Sequence, residues 1–273
     1  MKCTCRPADA GHSRAASALT ALAALTLALT ALPALAFEPP PAVADAASAP
    51  FAANAAPVRV PDSATLTYQV TGQTHGLSYN ADAQLQWRPR GNRYDAVWQI
   101  NLPLLLGART QHSEGKITAA GLEPERFTES SRGERVAQFD AKDRRIRFNP
   151  SRPEAVLQPG AQDRLSITLQ FAALMAAAPE RYPPGAKITL QTVGVRHADP
   201  WVWEVLSDQT LQLAGRSIPC VRLLRQPVTE HDTRVELWLA RTLDYLPVRL
   251  RLTQNGDDVA DQQLQTIDRA PDR

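Results

Sequence analysis

Apolar and polar residues alternate with a period of two along much of the chain after about position 63. In a first segment Leu66, Tyr68 and Val70 take one face, and Thr65, Thr67, Gln69 and Thr71 take the other. A second sets Leu77, Tyr79, Ala81, Ala83, Leu85 and Trp87 against Ser78, Asn80, Asp82, Gln84 and Gln86. A third sets Tyr94, Ala96, Trp98, Ile100 and Leu102 against Asp95, Val97, Gln99 and Asn101. Successive side chains of a strand point to opposite faces, so sustained alternation predicts half-buried antiparallel strands with one wet side. His75-Gly76 and the run Arg88 to Asn92 read as hairpin connections, so a meander opens the domain.

Alternation weakens from Arg109 to Ile117, where both faces carry polar groups, and this predicts an edge strand or a strongly bent one. Short strands follow at 126–130, 136–140 and 145–148. In Lys187 to Arg196 the apolar phase changes between Leu190 and Val193, which predicts a bulge near Thr192. Further strands are expected at 201–206, 210–213, 219–225, 233–239, 248–253 and 259–267. In the late ones Val235, Leu237, Leu239, Val248, Leu250 and Leu252 form an apolar face. Arg234, Glu236, Arg249 and Arg251 should then form a solvated ladder outside.

One stretch departs from the period of two. Asp163 to Ala178, DRLSITLQFAALMAAA, carries two apolar rows, Leu165/Leu169/Ala172/Met175 and Ile167/Phe171/Leu174/Ala178. A helix apolar on nearly all sides is buried, and a lone buried helix needs an enclosing wall. Asp163 is its expected N-cap, and Pro179, Pro183 and Pro184 prevent its continuation. The fold class is therefore mainly β: a curved antiparallel sheet or open β-barrel with one principal buried helix at about 163–178.

The N-terminus changes the picture of where this domain works. Lys2, Arg6 and Arg14 precede an apolar run from Ala15 to Leu32, and Ala34-Leu35-Ala36 is a small-residue cleavage site. Residues 1–36 thus read as a signal peptide, cleaved after Ala36, and the protein as periplasmic. No later stretch approaches the ~20 apolar residues of a spanning helix, so no stable membrane insertion is expected after cleavage. Residues 37–62 are Ala- and Pro-rich and read as a disordered tether, followed by one β-rich domain at 63–269 and a short tail at 270–273.

The whole chain has 30 Lys and Arg against 28 Asp and Glu; without the leader each falls to 27. A balanced charge gives no argument for nucleic acid or an anionic membrane. Cys3 and Cys5 lie in the leader, so Cys220 stands alone and reads as a buried structural residue.

The signal, HSEGKITAAGLEPERFTE, DRLSITLQFAALMAA and VELWLARTLDYLPVRLRLTQ together resemble the bacterial exported family DUF3108, a domain of unknown function, over roughly Leu66 to Arg269. Glu236-Leu-Trp-Leu followed by Leu243-Asp-Tyr-Leu-Pro-Val-Arg249 is the most distinctive part. The resemblance implies a periplasmic β-rich domain and brings no catalytic residues. The architecture is also similar to the open-barrel plan of periplasmic lipoprotein carriers, an analogy that assigns no site.

Candidate chemistry is sparse. The sequence has no Gly-x-Ser-x-Gly elbow, phosphate-binding glycine loop, His-Glu-x-x-His helix or, after the leader, Cys-x-x-Cys. The reading is non-enzymatic, without catalytic residues, metal or cofactor, although His112 and Glu114 share a strand face. Aromatic and leucine positions are more informative: Tyr79, Trp87, Tyr94 and Trp98 on inward rows, Leu104, Leu105 and Leu106 in a connection, and Phe171 on the helix. They are candidates to line an apolar pocket beside Ala81, Ala83 and Ala96, and otherwise they are core.

The expected function is binding or carriage of a lipid-like envelope molecule. The alternative is an assembly or scaffold protein that meets another envelope protein at a sheet edge, with a hydrolase a distant third. We expect the exported chain to begin at Phe37; intact mass of the periplasmic protein checks this, and a retained N-terminus in the membrane fraction would overturn it.

Overall fold

The computed structural model describes residues 58–269, apart from 75, 103–106, 132, 230–231 and 255–257. The alternating segments become strands. β1 (Ala64–Thr74), β2 (Leu77–Arg90), β3 (Arg93–Asn101), β4 (Ala108–Thr118), β5 (Gly121–Ser130), β6 (Glu134–Asp140), β7 (Arg145–Asn149) and β8 (Ala155–Val156) form an antiparallel meander. β9 (Gln162–Asp163) leads into α1 (Ser166–Ala177). A second meander follows: β10 (Lys187–Val193), β11 (Ala198–Leu213), β12 (Arg216–Arg225), β13 (Arg234–Ala240), β14 (Pro247–Gln254) and β15 (Asp258–Arg269). β15 pairs antiparallel with β1, which merges both runs into one sheet of 15 strands with β8 and β9 at its edges.

That sheet is open but strongly curled. β5 and β9 lie eleven positions apart in the strand order, yet they touch each other, and α1 touches β5, β9 and β14. At ~4.8 Å per strand a flat sheet would hold β5 and β9 ~53 Å apart. The two edges are joined by the short segment 157–161 and drawn together by Gln191 of β10. Its amide accepts from the Gln158 N–H and donates to the Val156 carbonyl, each at 2.9 Å.

Ser166 to Met175 are all buried, as a helix inside a wall requires. Leu165 and Leu169 join an apolar cluster built mainly on β1 to β7, while Ile167, Phe171, Ala172, Leu174 and Met175 join a second built on β10 to β14. The helix is thus the hinge between two cores. Its polar groups are spent on the wall. Gln170, 1% exposed, accepts the Leu122 N–H at 2.7 Å and donates to the Ala120 carbonyl at 3.1 Å, while Gln162 donates to the Leu122 carbonyl at 2.7 Å. Gly121, at φ 111°, sits between them, and a Cβ there would stand 2.2 Å from the Gln170 amide.

Several sequence expectations need correction. The helix begins at Ser166, because Gln162 and Asp163 pair in parallel with Thr192 and Val193 of β10. β4 is no edge: it pairs with β3 on one side and β5 on the other. Its polar character has another cause, since Ser113 is fully buried and anchors the start of α1. β10 pairs with β11 in unbroken register from Lys187 to Val193, without a bulge at Thr192; both Thr192 and Val193 are buried because β9 covers them. The bulge occurs in β11 instead, between Leu206 and Gln209, so the two strands expected there are one.

The arginine ladder is not simply solvated. The Arg222 and Arg249 guanidiniums stack on buried Trp238 at 5.3 and 4.6 Å, with Glu236 and Asp261 neutralising them. Residues 58–62, which composition assigns to the tether, lie against the fold: the Arg59 N–H donates to the Ala173 carbonyl at 3.1 Å, and the Pro61 carbonyl accepts the Trp87 indole N–H at 2.8 Å.

Phe171 is fully buried and meets Trp203 edge to face at 5.1 Å. Phe171→Ala should lower the stability measured by urea unfolding by ~3–5 kcal/mol. An unchanged midpoint would mean that the helix is not packed within the sheet.

Candidate ligand-binding cleft

The β11–β12 register sets Trp203 opposite Arg225 on the same face, with Trp201 one step along the strand. α1 lays Ile167 beside them, and Val235 of β13 with Leu250 and Leu252 of β14 complete an apolar floor. These residues enclose a cleft of about 710 Å³, within the ~300–1,000 Å³ usual for small-molecule sites. Its rim is polar, drawing on Gln111, Arg164, Thr168, His197, Asp199, Thr229, Asp232, Thr233 and Gln254. Val228, 85% exposed, puts an apolar side chain at the mouth.

Most rim charges are satisfied internally. Arg225 is 6% exposed; it stacks 4.5 Å above the Trp201 ring, pairs with Asp232 at 3.2 Å and donates to the Thr233 carbonyl. Asp232 also accepts the Val228 and Thr229 N–H groups, and the Val228 bond with the Arg225 charge holds its carboxyl below the usual range. His197 Nδ1 lies 2.5 Å from Asp199. Trp203, 1% exposed, has a buried indole N–H without an acceptor among the described residues. Buried indole N–H groups ordinarily find one.

Behind the cleft, the start of α1 rests on a buried acid. Asp163 accepts the Leu165 and Ser166 N–H groups at 2.9 and 2.8 Å and the Ser113 hydroxyl at 2.5 Å, and Ser113 in turn meets the Tyr94 hydroxyl at 3.0 Å. Burial pushes the Asp163 carboxyl up to about 6, against those hydrogen bonds, which favour the ionised form. Burial likewise pushes Tyr94 well above its ordinary range, and the Cys220 thiol up to about 12, so Cys220 is an inert buried residue.

The residues singled out from sequence are dispersed relative to this cleft. Trp87 is fully buried with its indole bonded to Pro61, and Tyr94 stacks on it at 5.6 Å. Tyr79 lies over Gly72, its cross-strand partner. Trp98 adjoins the cleft: its cross-strand partner Gln111 lines it, and its indole donates at 2.9 Å to Gln262, the partner of cleft-lining Leu250. Phe171 backs the cleft through Trp203. Leu104, Leu105 and Leu106 lie outside the described residues. Sequence reasoning missed Ile167, Trp203, Val235, Leu250 and Leu252 as a group, since three separated strands and the helix bring them together. The shared face of Trp201 and Trp203 was the available signal.

Two other features carry less. A depression of about 580 Å³ is lined by a mixture of charged residues, among them Lys116, Glu125 and Arg144, and apolar ones, among them Pro124, Phe139 and Leu157. On the opposite face of β3–β4, register gathers Asp95, His112 and Glu114, with His112 Nε2 at 2.7 Å from Asp95. Arg88 at 3.8 Å from Asp95 and Arg126 at 3.9 Å from Glu114 already offset those carboxylates, so the cluster reads as an ion-pair network.

The family model described as protein of unknown function (DUF3108) matches residues 66–262. No curated protein matches the chain. Among solved structures, a β-barrel-like protein of the domain of unknown function DUF1849 from Brucella abortus is similar at a TM-score of 0.55 and 11% identity, covering 78% of this chain and all of that one. A DUF1329 family protein from Desulfovibrio piger, at 0.30, 9% identity and 77% and 87% coverage, is more distant. So is MucB, at 0.29, 12% identity and 77% and 54% coverage. The first likeness supports the β-barrel-like fold; the other two carry no argument.

A raised Asp163 carboxyl binds its proton more tightly in the folded chain than at the unfolded value of ~3.9. Its contribution to stability is therefore fully present below pH ~4 and is lost as pH rises toward about 6, by on the order of 3 kcal/mol. Asp163→Asn keeps the cap oxygen and removes the titration. The stability of the variant relative to the parent should rise between pH 4 and pH 7 in urea unfolding. A difference that stays flat would show that folding does not raise the Asp163 carboxyl above its unfolded value.

Proposed function

This chain belongs to the DUF3108 family, and on that footing we propose that it is a non-enzymatic binding or carrier protein of the bacterial envelope, holding an apolar, lipid-like molecule. The observation that carries this reading is the cleft whose floor is Ile167, Trp201, Trp203, Val235, Leu250 and Leu252. An apolar surface of this kind inside a curled sheet gains by covering itself with an apolar guest, at ~25 cal/mol per Å².

Two further features support it. The N-terminal leader has the sequence of an export signal, which matches a periplasmic site of action. The β-barrel-like fold offers a rigid, enclosing frame for a pocket. Of the aromatic residues proposed from sequence, Trp98 and Phe171 take part from the margin, and Trp87 and Tyr94 serve as core.

The assembly-factor alternative drew on β4 as a free edge, and β4 is paired on both sides. The true edges, β8 and β9, are two residues each, and β9 is buried. Strand addition therefore has little to build on.

Titration with methyl oleate, followed by tryptophan fluorescence, tests the carrier reading. The parent should show saturable binding, and Leu252→Trp, which fills the cleft from a half-buried position on β14, should weaken it at least ~10-fold with the thermal melt unchanged. Absence of a saturable response in the folded parent would sink the reading.

A further inference from the structure

Resting on the reading of this cleft as an apolar binding site, we propose that its ligand is a single-chain amphiphile with an acidic head, the chain lying on Trp201, Trp203, Leu250 and Leu252 and the head against Arg164. The lining holds two arginines. Arg225 is buried and committed to Asp232, the Thr233 carbonyl and the Trp201 ring. Arg164 is exposed, and no described carboxylate pairs with it. Its guanidinium lies over Gly194, where an added Cβ would stand 3.2 Å from three of its atoms, so the glycine leaves the space that the guanidinium occupies.

An unpaired surface arginine is ordinary in itself. The setting distinguishes this one: Ile167 and Thr168, which follow it on the same wall, continue directly into the apolar floor. A ligand that covers the floor excludes water beside the guanidinium, which strengthens its attraction for an acid. The carboxylates in the same lining do not oppose this. Asp232 is held by Arg225 and two backbone N–H groups, and Asp199 by His197. The planar guanidinium fork matches a carboxylate or a phosphate monoester, and either head satisfies the geometry.

Four probes sharing one chain test the inference: oleate, oleyl phosphate, methyl oleate and oleylamine. They are titrated at neutral pH below their aggregation thresholds, into the parent, Arg164→Gln and Arg164→Lys. We expect oleate or oleyl phosphate to bind the parent on the order of tenfold tighter than methyl oleate, the factor that ~1.4 kcal/mol gives. The tighter of the two identifies the head. Arg164→Gln should abolish that preference while leaving methyl oleate unchanged, and Arg164→Lys should retain part of it. Equal affinity for acid and ester, preference for oleylamine, or a preference that survives Arg164→Gln would overturn the acidic head and leave the apolar cleft standing. No binding of any probe to the parent would overturn both.

Discussion

Ten consecutive buried residues, Ser166 to Met175, form a helix with no solvent face, and the rest of the molecule follows from enclosing it. Such a helix cannot lie on one side of a flat sheet, because its far side would remain in water. The sheet must curl until strands eleven positions apart meet. Apolar contact alone would leave the helix free to rotate and slide. Directional bonds remove that freedom: Gln170 and Gln162 grip the β4–β5 turn, and Asp163 grips Ser113 on β4. A buried donor or acceptor left without its partner costs ~1–3 kcal/mol, so these contacts select one docking geometry among many that bury similar area.

The same arrangement explains why a cleft exists. The helix divides the interior into two clusters, giving Leu165 and Leu169 to the β1–β7 side and Ile167, Phe171, Ala172, Leu174 and Met175 to the β10–β14 side. On the β1–β7 side Trp87, Tyr94 and Tyr68 are fully buried, with their polar ends bonded to Pro61, Ser113 and Pro247. On the β10–β14 side Trp203, Ile167 and Val235 are themselves buried, and the cleft opens along the half-buried Trp201, Leu250 and Leu252. The rim arginine Arg225 is tied down, so the opening keeps its shape without a guest.

The architecture was legible in sequence because a period of two runs through the strands and one apolar stretch, ended by prolines, breaks it. What was not legible depended on long-range pairing. The polar faces of β4 look like an edge in one dimension, whereas Ser113 is polar because Asp163, fifty residues on, needs a donor. The apparent phase change at Thr192 is burial by β9, not a bulge. The aromatic rows of β2 and β3 suggested a pocket beside Trp87, since an inward aromatic looks the same in sequence whether its neighbours fill the space or leave it. Only the strand order, with β14 facing α1, shows which half is filled.

The proposed apolar guest would lie on the β11–β14 side of the helix. A crystal structure of the protein with a terminally brominated fatty-acid methyl ester locates the chain directly, through the anomalous signal of bromine. A carrier of this kind should give a single bromine peak within the cleft, in contact with Trp201, Leu250 or Leu252. A peak among Trp87 and Tyr94, or in the depression beside Phe139 and Leu157, would contradict it.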